Sequence, residues 1–322
     1  MQKSNYITPL LLLLVYLFSH SIAIAQTGMN GTVNALAIIE DDGLALYAGT
    51  NQGLYLSRND GQQWISIGLD ERSINDIAVN PANPDIIYVA VGNDGLLSTA
   101  DGGKQWDNLA INPPGLNGHG DIRAVATDPS NPSSLYAASF QGYIFKSTDE
   151  GRSWSTLNPD FPFPALNALA IDPTAGNVLY IGTGGNGIYK SVNGGANWVD
   201  INNNLADLSV TRVLIDPADP ATLFAGTYGG GVYISRDHGE SWHPANTGLS
   251  DKYVYALAAF PGSLSEGKTS SLLGRLQKAT KDSRASLENA DLLIGVYGGK
   301  LFSASSSGDL HWKPLAEQSR HM

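Results

Sequence analysis

The chain repeats one order of apolar and polar positions along most of its length. In its clearest copy, LNALAIDP (Leu166 to Pro173) alternates apolar and polar residues and stops at Asp-Pro. LYIGT (Leu179 to Thr183) follows as a nearly continuous apolar run, and GIYKS (Gly187 to Ser191) leads into a polar turn and a Trp that opens a last short apolar-polar stretch. The same order recurs as INDIAVNP, IYVAV, GLLST and as VTRVLIDP, LFAGT, GVYIS. Alternation with period two marks half-buried strands, and Asp-Pro, Asn-Pro and Gly-rich pairs mark the turns that end them. Each unit therefore predicts four short strands.

The polar turn is the most regular part. All six Trp of the chain stand seven residues after a Ser or Thr, in SRNDGQQW (Ser57 to Trp64), TADGGKQW (Thr99 to Trp106), STDEGRSW (Ser147 to Trp154), SVNGGANW (Ser191 to Trp198), SRDHGESW (Ser235 to Trp242) and SSSGDLHW (Ser305 to Trp312). Their first residues are 42, 48, 44, 44 and 70 positions apart. A period in the forties with four strands per unit predicts an all-β, six-bladed β-propeller. The octapeptide has a structural reading as the hairpin between strands three and four. Asp101, Asp149 and Asp237, or the amide oxygens of Asn59 and Asn193, can accept backbone N–H groups of their own turn. The Gly supplies positive φ, and Trp64, Trp106, Trp154, Trp198, Trp242 and Trp312 bury a large ring between blades. On this reading Trp198→Ala costs about 3 kcal/mol or more through lost packing.

The pattern S-x-D-x-G-x-x-W resembles the Asp-box, or BNR, repeat of sialidases, sortilin-type receptor domains, xyloglucan-active endoglucanases and photosystem II assembly-factor-like exported propellers. The sixth copy departs from it, with Ser307 where the acid belongs and Asp309 where the Gly belongs. The resemblance implies the fold and leaves activity open.

Composition adds a compartment. Lys3 followed by the apolar run Ile7 to Phe18 and the small residues Ala23-Ile24-Ala25 reads as a signal peptide over 1–25, cleaved after Ala25. The run is too short for a membrane span, and no Cys follows it to carry a lipid anchor. The expected mature chain, 26–322, is exported, periplasmic or extracellular, and monomeric. It contains no Cys, so it must stabilise itself by burial. Without Lys3 it carries 18 basic residues against 30 acidic ones, which argues against nucleic acid or anionic lipid as partners.

One segment breaks the period. Residues 262–290, in GSLSEGKTSSLLGRLQKATKDSRASLEN, are basic, and Leu272, Leu273, Leu276 and Ala279 predict a short amphipathic helix inserted between the first two strands of the last blade. A solvated loop and a docking element are both open readings.

Strand order places the box hairpins and the strand one–two turns on one face, and the strand two–three turns and interblade loops on the other. The second face surrounds the central opening where propellers bind ligands. Its candidate binding residues are Arg72, Asp76, Asp94, His119, Arg123, Arg212, Tyr228, Tyr255 and Tyr297, with Asn75, Asn93, Asp121, Phe140, Phe161, Phe163, Thr211 and Tyr253 beside them. Asp76 and Arg212 occupy the same repeat position in blades two and five, opposite across the axis; they either face a ligand or lie buried and satisfied between blades. The sialidase resemblance implies three Arg on a carboxylate, for which Arg72, Arg123 and Arg212 stand on the right face, and a Tyr nucleophile, for which Tyr255 and Tyr297 come late enough. Against it, the early Arg-Ile-Pro motif is replaced by Val33-Asn34-Ala35-Leu36, and Glu71 is the one Glu clearly on that face. His spacing indicates no metal, and no motif indicates a cofactor. Two function classes remain: a non-catalytic binding or scaffolding propeller for a protein or glycan, and a glycoside hydrolase, sialidase-like or other, acting from the same face.

Overall fold

The computed structural model describes residues 29–41, 43–59, 61, 63–111, 120–157, 164–259, 292–296, 301–304 and 310–314. The expected signal peptide and its cleavage point, the 262–290 insertion, His119, Phe161, Phe163 and Tyr297 lie outside them. The described chain forms six four-stranded antiparallel sheets, each an unbroken meander of four consecutive strands. We number them blades 1 to 6, over 33–66, 74–109, 122–156, 166–200, 210–244 and 254–314. Their inner strands are Val33–Asp41, Ile74–Val79, Ile122–Asp128, Leu166–Asp172, Val210–Ile215 and Val254–Ala259. Each inner strand packs on the next, and that of blade 6 packs on that of blade 1, so the ring closes. It closes by side-chain packing, because each sheet is built from one contiguous stretch of chain. Val33, Leu36 and Trp64 of blade 1 meet Ala256, Leu293 and Leu301 of blade 6 at this seam.

The core is divided into six apolar clusters, one between each pair of neighbouring blades. This explains the unbroken apolar second strands. Ile87–Val91, Leu223–Thr227 and Leu292–Val296 are buried at every position because both sheet faces are covered by neighbouring blades. The Gly near the end of the second strands of blades 4 and 5 has a packing role. A Cβ on Gly182 or Gly226 would stand 2.6 or 2.7 Å from a methyl of Val210 or Val254, the first inner residue of the next blade.

The box hairpins are closed by side-chain hydrogen bonds within each turn. Ser147 Oγ donates to Asp149 Oδ1 at 2.7 Å, the Gly151 N–H donates back to Ser147 Oγ at 2.8 Å, and the Ser153 N–H donates to Asp149 Oδ1 at 2.9 Å. Ser235, Asp237, Gly239 and Ser241 repeat the arrangement. Asn59 and Asn193 take the same place, each accepting a leading Ser hydroxyl at 3.0 Å. The leading hydroxyl thus ties the acid to the Gly within one turn. The sixth copy has a different register from the one its spacing suggests. Ala304 stands opposite Leu292, where Ser147 stands opposite Leu135 and Ser235 opposite Leu223. The stretch from Ala304 to Trp312 is therefore one residue longer than its counterparts in blades 3 and 5.

Each Trp packs backwards: Trp106, Trp154, Trp198, Trp242, Trp312 and Trp64 belong to the clusters their own blade shares with the preceding one. They are not equivalent. Trp242 and Trp312 are fully buried and donate their indole N–H to Ile201 and Ala245 carbonyls of the preceding blade, at 2.7 and 2.8 Å. Trp154 and Trp198 are half-buried and donate to Gly151 and Gly195 of their own turns. Trp198→Ala is accordingly expected to cost about 2 kcal/mol, less than full burial would imply, as read by denaturant unfolding.

Hydrogen bonding holds the Asp149 and Asp237 carboxyls down at about 2, from an ordinary 3.8. For Asp149 the Ser153 hydroxyl is the largest cause, and for Asp237 the Ser241 hydroxyl. A carboxylate depressed in the folded state stabilises it fully above the unfolded value near 4, and this contribution is lost as pH falls from about 4 towards 2. Replacing both by Asn, the residue already present in blades 1 and 4, removes this contribution and should lower the neutral-pH Tm. The fall in Tm between pH 4 and pH 2 should become shallower.

Candidate functional site

The second residue of each inner strand faces the mouth of the channel at the interblade face. These residues are Asn34, Asn75, Arg123, Asn167, Thr211 and Tyr255. Four of them clasp the following blade. Asn34, Asn75, Asn167 and Thr211 donate to the carbonyls of Ile74, Ile122, Val210 and Val254 at 3.2, 2.9, 3.0 and 2.6 Å. Arg123 instead turns to Asp121 at 2.6 Å and lies 5.0 Å over the Phe140 ring.

The next position is small and buried in four blades, as Ala35, Ala124, Ala168 and Ala256. Blades 2 and 5 carry Asp76 and Arg212 there. The four alanines leave room in which Arg212 crosses the axis. Its Nη1 donates to the carbonyls of Thr211 at 2.6 Å and Asn167 at 3.2 Å, and its Nη2 to those of Asn75 at 2.5 Å and Asn34. One guanidinium thus links blades 1, 2, 4 and 5. Asp76 Oδ2 accepts the Val125 N–H of blade 3 at 2.9 Å. Both side chains keep some surface towards the channel, but inner strands wall the channel in, so the surroundings are those of an interior. Burial pushes the Asp76 carboxyl up while the Arg212 charge opposes the rise. Burial pulls Arg212 down and Asp76 opposes that. Both side chains line the channel instead of lying between blades, each held by backbone partners as well as by mutual attraction.

The three Arg considered for a carboxylate grip do not converge as free donors. Arg212 is committed to carbonyls, Arg123 to Asp121, and Arg72 to Asp94 at 2.9 Å. Arg72 and Asp94 are well exposed, and such a pair contributes little to stability. On the same face, Tyr228 and Tyr253 are 54% and 44% exposed and meet edge to face at 5.1 Å, with Tyr255 6.0 Å from Tyr228. Phe140 is 45% exposed beside Arg123. Asp121 Oδ1 and Arg123 Nε are shut from solvent without a hydrogen-bond partner among the described residues. Asp207, which sequence reasoning missed, accepts the Gly230 and Ser209 N–H groups at 2.7 and 3.0 Å and so shapes the Gly-rich turn next to Tyr228. Its place before Ser209 is the signal that could have found it, an acid two residues ahead of a turn N–H. Among the described residues no group of three His, Cys, Asp or Glu is placed to hold a metal.

A cavity of about 670 Å³ occupies the rest of the channel. It is lined by the later halves of all six inner strands and by Pro81, Pro84, Pro129, Pro173 and Pro217 of the strand one–two turns. It therefore lies towards the box face, with Asp76 and Arg212 at its inner end, and not beneath the exposed aromatics.

Fold and repeat together define a six-bladed β-propeller. Residues 52–161 match the family model described as sortilin, neurotensin receptor 3. No curated protein matches the chain. Among solved structures, an ancestral GH74 enzyme superposes with a TM-score of 0.60 at 19% identity, over 89% of this chain and 39% of that one. The GH74 xyloglucanase of Xanthomonas campestris superposes with 0.57 at 18%, over 87% and 47%. YCF48 bound to D1 peptide superposes with 0.55 at 17%, over 88% and 81%. The chain thus spans less than half of either GH74 protein. No described helix is long and apolar enough to cross a membrane.

Proposed function

We propose that the chain is an exported, non-catalytic binding propeller whose interblade face holds a protein or glycan ligand. The observation that carries this reading is the exposure of Phe140, Tyr228 and Tyr253 on that face, around a mouth where Arg72 and Arg123 are paired with Asp94 and Asp121. Aromatic rings offer large contact area at small entropic cost, which suits recognition. Of the acids on that face, Asp94, Asp121 and Asp207 serve as acceptors within the protein, and Glu71 is exposed beside Arg72. YCF48 carries a peptide on a propeller of this shape, which favours the protein ligand; the GH74 enzymes keep the glycan reading open.

The test is binding of the full chain to peptide and glycan arrays, with fluorogenic sialosides and xyloglucan as turnover substrates. The wild type should bind without turnover. The double variant Tyr228→Ala, Tyr253→Ala should lose at least tenfold in affinity at an unchanged Tm. Turnover that disappears in Arg123→Ala would overturn the non-catalytic reading, and undiminished binding by the tyrosine variant would move the site elsewhere.

A further inference from the structure

The channel cavity faces away from the aromatic mouth and has chemistry of its own. One apolar side chain from each inner strand contributes to its wall: Ile38, Ile77, Val125, Leu169, Leu214 and Leu257. Its volume of about 670 Å³ falls in the range of small-molecule sites, which are mostly apolar with a few placed polar groups. The ionisable side chains in its lining are Asp76 and Arg212, both at its inner end. Arg212 spends both Nη atoms on carbonyls. Asp76 gives one oxygen to the Val125 N–H and keeps acceptor capacity towards the cavity.

We infer that this cavity is a binding site for an uncharged, largely apolar small molecule that carries one hydroxyl donor and seats it on the Asp76 carboxylate. The opposite charges of Asp76 and Arg212 select the head group. An anionic head is repelled by Asp76, and Arg212 has its terminal donors already committed. A cationic head is attracted by Asp76 but repelled by the Arg212 guanidinium that lines the same channel. A neutral hydroxyl keeps the local charge balanced and adds a charge-assisted hydrogen bond. The apolar remainder of the ligand covers the strand side chains and displaces water from them.

The test uses the full chain and three probes of one length: 1-octanol, octylammonium and octanoate, titrated by calorimetry and by ligand-detected NMR. 1-Octanol should saturate at one site, with the two ions at least tenfold weaker. Ala170→Phe, at a lining position that also packs against the cluster between blades 4 and 5, should abolish 1-octanol binding in a variant that circular dichroism shows to be folded. Asp76→Asn should weaken 1-octanol and narrow its advantage over octanoate. Equal binding of the three heads, 1-octanol binding unaffected by Ala170→Phe, or no saturable 1-octanol binding to the folded wild type would each overturn the inference. None of these outcomes bears on the interblade face, whose test reads Tyr228 and Tyr253.

Discussion

Arg212→Met should destabilise the protein by about 3–5 kcal/mol, the usual cost of removing one partner from a buried ionic group. In a chain of this size that lowers Tm by about 10 °C. The loss has two sources. Asp76 remains in the channel without its opposite charge. The carbonyls of Asn34, Asn75, Asn167 and Thr211 lose their donors in a place that water reaches poorly. Asp76→Leu combined with Arg212→Met should recover part of the loss, because an apolar pair removes the stranded charge. Strict additivity of the two substitutions would mean that the residues do not interact across the axis.

Trp242→Ala should cost about 3–5 kcal/mol, the most of any box tryptophan along with Trp312. Trp242 has 0% of its surface exposed and joins Leu205, Val210 and Leu223 in the cluster between blades 4 and 5. Its removal leaves a cavity of ring size and strands the Ile201 carbonyl that accepts its indole N–H. Trp242→Phe narrows the question, since it keeps one ring of the packing and loses the donor and part of the ring volume, about 2 kcal/mol in all. Denaturant unfolding should show a larger loss for Trp242→Ala than for Trp242→Phe or Trp198→Ala. A Trp198→Ala loss as large as that of Trp242→Ala would show that burial does not set the scale.

The sequence made the ring legible because the repeat carries its own geometry. Alternation marks the inner strands, Asp-Pro marks the turns, and the Ser–Asp–Gly–Trp spacing marks the hairpins. It also made Asp76 and Arg212 visible as equivalents three blades apart. It could not show that Arg212 would spend its donors on four carbonyls, since backbone acceptors from blades 1, 2 and 4 have no side-chain signature. The same holds for the clasp by Asn34, Asn75, Asn167 and Thr211, whose partners are main-chain atoms roughly 40 residues away. The longer stretch before Trp312 was not legible, because several serines stand in a row there and only the pairing of Ala304 with Leu292 shows the extra residue. The cavity was illegible because the strands that wall it are spent first on packing between blades, and their sequence reads as core.

The box tryptophans and clasps run in one sense around the ring, and this bears on how the protein is made. Each clasp reaches from one blade to its successor in the chain, and the cross-blade indole bonds of Trp106, Trp242 and Trp312 reach back to the blade before. As the polypeptide leaves the ribosome, every newly completed wedge finds its partner already present, and contacts between neighbours are short-range in sequence. Two arrangements must wait for the late part of synthesis: the seam between the last wedge and the first, and the Arg212 span from the fifth to the first and second. Refolding should therefore show fast acquisition of β-structure and a slower final docking phase, with Arg212→Met and substitutions at the Trp64 seam acting mainly on that later phase.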